Sequence, residues 1–129
     1  MSKVKRKLTT ILATDCVGFS RRMEEDEELT LENLKACRSL IDPLVKGSGG
    51  RIFYTAGDSV IAEFESPVEC VNAAIGFQKA IHDRNKTIDE KSKLDWRVGI
   101  HLDDVIIEGD NVYGNGVNIA ARLEAACAP

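Results

Sequence analysis

Two aspartates stand where a carboxylate could hold a metal ion. Asp15 follows an apolar, β-branched run and precedes a turn that contains Gly18. Backbone N–H groups in such a turn can bind an anion, and a carboxylate beside them can hold a hard cation. Asp58 lies in the short link between two further apolar segments. Taken singly, each aspartate is more simply explained as a residue that ends a strand or forms a turn.

A third candidate group lies near the end of the chain. Asn118 and Arg122 are four residues apart in a segment with helical periodicity, so they share one face of the predicted helix. A planar amide beside a guanidinium suits a sugar oxygen and a phosphoryl group. For this pair alone, an ordinary exposed Asn/Arg pair on a helix surface is the favoured explanation.

The predicted elements, in the order β-α-β-β-α-β-β-α, would bring the two aspartates together. Strands are predicted at 8–14, 51–56, 59–65, 94–102 and 105–108, and helices at 27–46, from Ser66 to a polar loop at 83–93, and at 117–128. The order indicates an α+β fold: a ferredoxin-like, split βαβ antiparallel sheet with helices packed on one face. The first strand then lies beside the hairpin, so both carboxylates reach one sheet edge. Two carboxylates beside an anion-binding turn are what a pair of Mg²⁺ ions needs to hold a triphosphate.

Composition indicates a single cytoplasmic domain. The chain has 129 residues and a formal net charge of −4, which argues against a general nucleic-acid binder. No apolar run approaches the roughly 18 residues that span a bilayer, and the run after the basic N-terminus is too short for a signal peptide. The four cysteines and two histidines form no CxxC pair or zinc pattern, and Cys37 and Cys70 are predicted to be reduced core residues.

Four segments, in order and at matching spacing, resemble the class III adenylate and guanylate cyclases. They are Ile11–Ser20, Thr55–Asp58, Arg97–His101 and Val117–Glu124. Any one segment is a weak signal, but four in order outweigh the separate structural explanations. The similarity covers a cyclase domain at 7–129, after a basic stub at 1–6. The family's C-terminal strands, with a lysine that contacts the triphosphate, would lie beyond Pro129, so the domain is expected to be C-terminally incomplete.

The resemblance implies a role for each matching residue. Asp15 and Asp58 would bind two divalent metal ions, Mg²⁺ or Mn²⁺, together with the backbone carbonyl of Cys16. One metal would activate the ribose 3′-hydroxyl, and the other would support the leaving pyrophosphate. Phosphate oxygens would be held by backbone N–H groups of the turn formed by Val17, Gly18, Phe19 and Ser20.

The resemblance also implies a homodimer with shared active sites. Asn118 would position the ribose, and Arg122 would stabilise charge on the α-phosphoryl transition state. In this family the metal ligands come from one subunit and the Asn/Arg pair from the other. Because this chain carries both halves, two equivalent sites are expected, and a monomer should be inactive.

The base-reading positions depart from the family pattern. Adenylate cyclases usually have lysine where this chain has Tyr54, and aspartate or threonine where it has Asn111; guanylate cyclases usually have glutamate and cysteine. A tyrosine hydroxyl and an asparagine amide can each donate or accept a hydrogen bond, so neither purine is excluded. Asp103 replaces a usual glycine. Metal and transition-state positions are kept, which favours an active cyclase over a decayed scaffold.

The predicted function is therefore conversion of a purine nucleoside triphosphate, with ATP favoured over GTP, to its 3′,5′-cyclic monophosphate for intracellular signalling. The main alternative is a non-catalytic cyclase-homology module that binds nucleotide or dimerises to regulate a linked domain. A diguanylate cyclase or a polymerase palm is a weaker alternative, because the hairpin reads Ala56-Gly57-Asp58-Ser59 and lacks the Gly-Gly-acidic-acidic-Phe signature.

Overall fold

A computed structural model describes residues 5–108, 111–113, 120–121, 123 and 125–126 of the chain. In order, the elements are β1 (Lys5–Cys16), α1 (Phe19–Glu25), α2 (Glu27–Gly47), β2 (Arg51–Ala56), β3 (Ser59–Phe64), α3 (Pro67–Asn85), a 3₁₀ turn (Glu90–Ser92), β4 (Trp96–Glu108) and β5 (Asn111–Tyr113). The described residues between 120 and 126 are also helical.

The strands form one antiparallel sheet in the order β2-β3-β1-β4-β5. Strand β1 lies at the centre, with the β2–β3 hairpin on one side and β4 on the other. Each long helix connects two strands that are consecutive in the sequence but not adjacent in the sheet, α2 between β1 and β2 and α3 between β3 and β4. This arrangement confirms the predicted split βαβ topology.

The two faces of the sheet carry different cores, because successive strand residues point to opposite sides. Helices α2 and α3 cover one face, where Leu12 packs with Ile41, Phe77 and Trp96, all of them fully buried. Helices α2 and α3 correspond to the helices predicted at 27–46 and after Ser66, and they lie on one face as expected. On the other face, Ile11 packs with a cluster that includes Ala120. The described residues of the last helix therefore lie on the side opposite α2 and α3.

Helix α3 begins as the sequence predicts. The Ser66 side chain accepts a hydrogen bond from the Glu69 N–H at 3.2 Å, and Pro67 follows in the first turn. The helix ends later than predicted, at Asn85, inside the segment expected to be a loop.

The predicted strand pair that turns at Asp103 and Asp104 is wrong. Strand β4 runs without interruption, and it pairs with β1 from Lys5 opposite Ile107 to Cys16 opposite Trp96. Pairing along the twelve residues of β1 outweighs the turn preference of Asp103 and Asp104. Strand β1 is correspondingly longer than the predicted 8–14 and takes in two residues of the expected basic stub.

Gly50 is required at the turn between α2 and β2. A Cβ atom there would lie 2.6 Å from two ring carbons of Phe64 and 2.8 Å from Cγ1 of Val45. Both side chains belong to the closed core under α2. We therefore expect Gly50→Ala to lower the free energy of unfolding by about 1–3 kcal/mol through overpacking, as measured by urea denaturation. Gly47→Ala is the matched control, because a Cβ atom at Gly47 meets nothing within 4 Å. Equal stability of the two variants would contradict this packing argument.

Candidate functional site

The sheet brings Asp15 and Asp58 to the same place. Asp15 lies near the end of the central strand β1, and Asp58 lies in the two-residue turn between β2 and β3. Oδ2 of Asp58 accepts a hydrogen bond from the backbone N–H of Cys16 at 2.9 Å. Gly57 has φ 57°, a left-handed conformation that glycine adopts easily at the first position of a tight hairpin. The turn thus places the Asp58 carboxylate beside Cys16, the residue that follows Asp15.

The electrostatics of Asp58 suit a site for a cation. Burial raises the pKa of the Asp58 carboxyl, and the nearby negative charge of Asp15 raises it further. Backbone N–H groups, including that of Cys16, and the charge of Arg97 lower this pKa, but the net direction is upward. The negative charge of Asp15 therefore disfavours the ionised form of Asp58, and a divalent cation between the two carboxylates would relieve this repulsion.

Arg97 completes this cluster, although the sequence alone predicts no role for it. It lies opposite Asp15 in the β1–β4 ladder. Its Nη2 contacts Oδ1 and Oδ2 of Asp15 at 2.9 and 3.1 Å, and its Nε contacts Oδ1 at 3.1 Å. The side chain of Arg97 is only 26% exposed, and that of Asp15 only 19%. The register of an unbroken β4 against β1 would have placed Arg97 opposite Asp15. The predicted turn at Asp103 and Asp104 concealed that pairing.

Cys16 can offer only its backbone to a metal ion. Its side chain is 3% exposed and packs in the core beneath α2 and α3. Burial raises the pKa of its thiol far above the ordinary value, so the thiolate that a metal would require is strongly disfavoured. This agrees with the expected use of its carbonyl oxygen.

The turn after β1 departs in part from the prediction. Gly18, with φ 66°, takes the N-cap position of α1. The Val17 N–H donates to the Asp95 carbonyl at 2.8 Å, so it is engaged and not open to a phosphate. Phe19 and Ser20 begin α1, and the first N–H groups of a helix have no carbonyl partner within it. Phosphate contacts from this turn are therefore expected from 18–20.

The two base-reading positions lie on different edge strands. An irregularity in β2 between Ile52 and Tyr54 places Tyr54 opposite Ile61, and its side chain is 51% exposed. Such a bulge turns a side chain toward the other face of the sheet. Asn111 begins β5 and pairs with Glu108. Their predicted role in base recognition stays a prediction.

Asn118 and Arg122 lie outside the described residues, so their predicted pairing stays a prediction. Their described neighbours still locate this part of the chain. Ala120 is fully buried and packs in the cluster that contains Ile11 and Ala13. The carbonyl of Ala125 accepts a hydrogen bond from Nη1 of Arg97 at 3.0 Å. The helical segment therefore contacts the same guanidinium that holds Asp15.

The ligands available at the two aspartates suit Mg²⁺ or Mn²⁺. Within the described part of the chain, no cluster of three or more histidine, cysteine, aspartate or glutamate side chains could hold a metal ion. A site with one or two carboxylates, completed by carbonyl oxygen, water and substrate phosphates, is the usual way in which proteins bind Mg²⁺. The two aspartates and the Cys16 carbonyl fit that pattern, and they do not fit a zinc centre.

Comparison with known proteins identifies the family. The family model described as "Adenylate and Guanylate cyclase catalytic domain" matches residues 2–129. The chain is 41% identical over 127 residues to the putative adenylate cyclase 3 of Rhizobium meliloti, covering 98% of this chain and 22% of that protein. It therefore belongs to the adenylate and guanylate cyclase catalytic domain family.

Two further comparisons agree. An adenylate cyclase of Streptomyces coelicolor is 35% identical over 123 residues, which cover 93% of this chain and 30% of that protein. The crystal structure of an adenylate/guanylate cyclase/hydrolase from Silicibacter pomeroyi superposes with a TM-score of 0.90 at 37% identity, covering 98% of this chain and 74% of that chain. The chain thus spans less than a third of the length of these two curated relatives. Within the described residues, no helix is long and apolar enough to cross a membrane.

Proposed function

We propose that this chain is a nucleotide cyclase domain that converts a purine nucleoside triphosphate, ATP in preference to GTP, to its 3′,5′-cyclic monophosphate and pyrophosphate. The observation that carries the proposal is the meeting of Asp15 and Asp58 in a chain that belongs to the cyclase family. Relatives named adenylate cyclase support the choice of ATP.

In the reaction, the ribose 3′-oxygen forms a bond to the α-phosphorus and loses its proton to solvent. The bond between the α-phosphorus and the oxygen that bridges to the β-phosphate breaks, and pyrophosphate leaves. Two divalent cations, when bound, favour the ionised 3′-oxygen and neutralise charge on the leaving group.

The residues of the chain bind and orient the reactants. Asp15 and Asp58 hold the cations, and the Cys16 N–H keeps the Asp58 carboxylate in one orientation. The N–H groups at 18–20 donate hydrogen bonds to phosphate oxygens. Arg122 stabilises charge that develops on the α-phosphoryl group, and Asn118 fixes the ribose. Such preorganised electrostatic contacts give the largest single contribution to many enzymatic rates.

The active unit in this proposal is a homodimer. Each site combines the two aspartates of one subunit with the Asn/Arg pair of the other, so one symmetric dimer holds two sites. Tyr54 is half-exposed on the face opposite α2 and α3, which supports its proposed part, together with a second subunit, in a pocket for the base.

An activity assay tests the proposal directly. We expect full-length protein that contains this domain, incubated with Mn²⁺ and either ATP or GTP, to form a cyclic monophosphate and pyrophosphate, with more product from ATP. Mass spectrometry identifies the product, and EDTA should abolish its formation. Nucleotide binding without any cyclic product would overturn the proposal in favour of a non-catalytic module. A linear or cyclic dinucleotide product would favour the diguanylate-cyclase or polymerase alternative.

A further inference from the structure

The Arg97 guanidinium uses most of the capacity of the Asp15 carboxylate. Three contacts of 2.9–3.1 Å join its Nε and Nη2 to the two carboxylate oxygens. An ionised carboxylate offers about four lone-pair positions. The pair is partly buried, so the planar fork of the arginine is held in a favourable geometry with limited screening by water.

A divalent cation bound directly to Asp15 competes with this arrangement. Mg²⁺ requires a carboxylate oxygen at about 2.0–2.1 Å. It would therefore use a lone pair of a carboxylate that already accepts three contacts, and it would place two positive charges beside the guanidinium. Like charges at such a separation repel strongly where water is partly excluded. The complete Arg97 fork and a directly bound metal ion therefore compete for Asp15.

The same guanidinium also contacts the last helix. Nη1 of Arg97 donates to the carbonyl of Ala125 at 3.0 Å, three residues beyond Arg122. One rigid, planar group thus joins the end of β1 to the helical segment on the face opposite α2 and α3. Movement of Arg97 away from Asp15 must change this second contact as well.

We propose that Arg97 is a positioning residue whose hold on Asp15 competes with a metal ion, so that the guanidinium moves away from Asp15 when a metal ion binds there. Metal binding at Asp15 is thereby coupled to the anchoring of the helix around Ala125. The inference rests on the proposed function, since it takes Asp15 as a metal ligand. It adds that an internal cation, the Arg97 guanidinium, competes with the metal ion for Asp15.

Mn²⁺ binding without nucleotide tests the first part, by electron paramagnetic resonance or calorimetry on the full-length protein. We expect Arg97→Gln to tighten Mn²⁺ binding by about tenfold or more, because a competing positive charge is removed. Arg97→Lys keeps the charge but loses the fork, so its affinity should lie between those of the wild type and the glutamine variant.

Arg38→Gln is the matched control. Arg38 holds Asp42 by two contacts of 2.8 and 3.0 Å within α2, away from the site. Its loss removes the same charge and a similar ion pair, so Mn²⁺ affinity should not change. Equal tightening in Arg38→Gln and Arg97→Gln would reduce the effect to net charge and would overturn the proposal.

Asp15→Asn separates the two levels of inference. If this variant binds Mn²⁺ as tightly as wild type, the metal assignment of the proposed function fails. If Asp15→Asn weakens binding while Arg97→Gln leaves it unchanged or weaker, only the role of Arg97 fails.

Hydrogen exchange tests the coupling to the helix and needs no variant. We expect addition of Mn²⁺ to the wild-type protein to speed amide exchange across 120–126, and metal-free Arg97→Gln to show the same faster exchange. Unchanged exchange in wild type on addition of saturating Mn²⁺ would overturn the coupling, even if Arg97→Gln fails to fold.

Discussion

Replacement of Asp58 by asparagine is expected to abolish metal-dependent formation of cyclic nucleotide, with a loss of at least about 10²–10³-fold in kcat. The amide keeps the size of the side chain and an oxygen that can accept from the Cys16 N–H. It loses the negative charge that holds a hard cation. The initial rate with ATP and Mn²⁺ measures the loss.

The same change should leave the fold intact or make it more stable at neutral pH. Burial and the charge of Asp15 raise the pKa of Asp58, so the protonated form is more favoured in the folded protein than in the unfolded chain. The contribution of this carboxyl to stability is therefore fully present at low pH and is lost as the pH rises through its raised pKa. Thermal melts should accordingly show a melting temperature for Asp58→Asn at or above that of wild type at pH 7.5, with the difference shrinking toward pH 4.

Asp89→Asn is the control for Asp58. Asp89 is exposed, and its side chain makes no cap hydrogen bond to the 3₁₀ turn that follows it. Activity and stability should both remain at wild-type values in this variant. Near wild-type activity of Asp58→Asn in the same assay would refute the metal site.

Replacement of Arg122 by alanine is expected to lower kcat by about 10²–10³-fold while changing KM much less. The predicted guanidinium acts on charge that exists only in the transition state, so its loss affects the rate more than ground-state binding. Arg38→Ala removes an equal charge from α2, away from the site, and should keep full activity. Steady-state kinetics with ATP separates the two parameters. A change confined to KM would show that Arg122 only binds the nucleotide.

A mixing experiment then asks whether sites are shared between subunits. Asp58→Asn and Arg122→Ala damage opposite halves of the proposed site, so a heterodimer of the two variants holds one intact site and one doubly damaged site. With free exchange in an equal mixture, activity should return to about a quarter of the wild-type value. A mixture no more active than its components would mean that each site is built within one chain, and the proposed dimer would be wrong.

Local chemistry explains why much of the fold could be predicted. Ser66 and Pro67 indicate the start of α3, and the Gly57-Asp58 link predicts the β2–β3 hairpin. Both predictions are possible because capping and turn preferences act over only a few residues. The turn predicted at Asp103 and Asp104 was wrong, because β4 continues through it. Two consecutive aspartates have turn character, but pairing with the whole of β1 keeps β4 extended.

The candidate site divides in the same way. The residue types and their order indicated Asp15 and Asp58, since carboxylates near turns are visible in a sequence. The engagement of the Val17 N–H by Asp95 was not visible, because it depends on how the end of β1 meets the start of β4. Arg97 was missed for a related reason, since its partner lies 82 residues away along the chain.

The sequence by itself thus determined the family, the element types and the two carboxylates, because these depend on residue identity and short-range preference. Only the tertiary structure decided that Arg97 holds Asp15 and reaches Ala125, and that the last helical segment lies on the face opposite α2 and α3. The physical reason is strand register. A shift of one residue between β1 and β4 would turn every side chain to the other face, and long-range pairing alone sets that register.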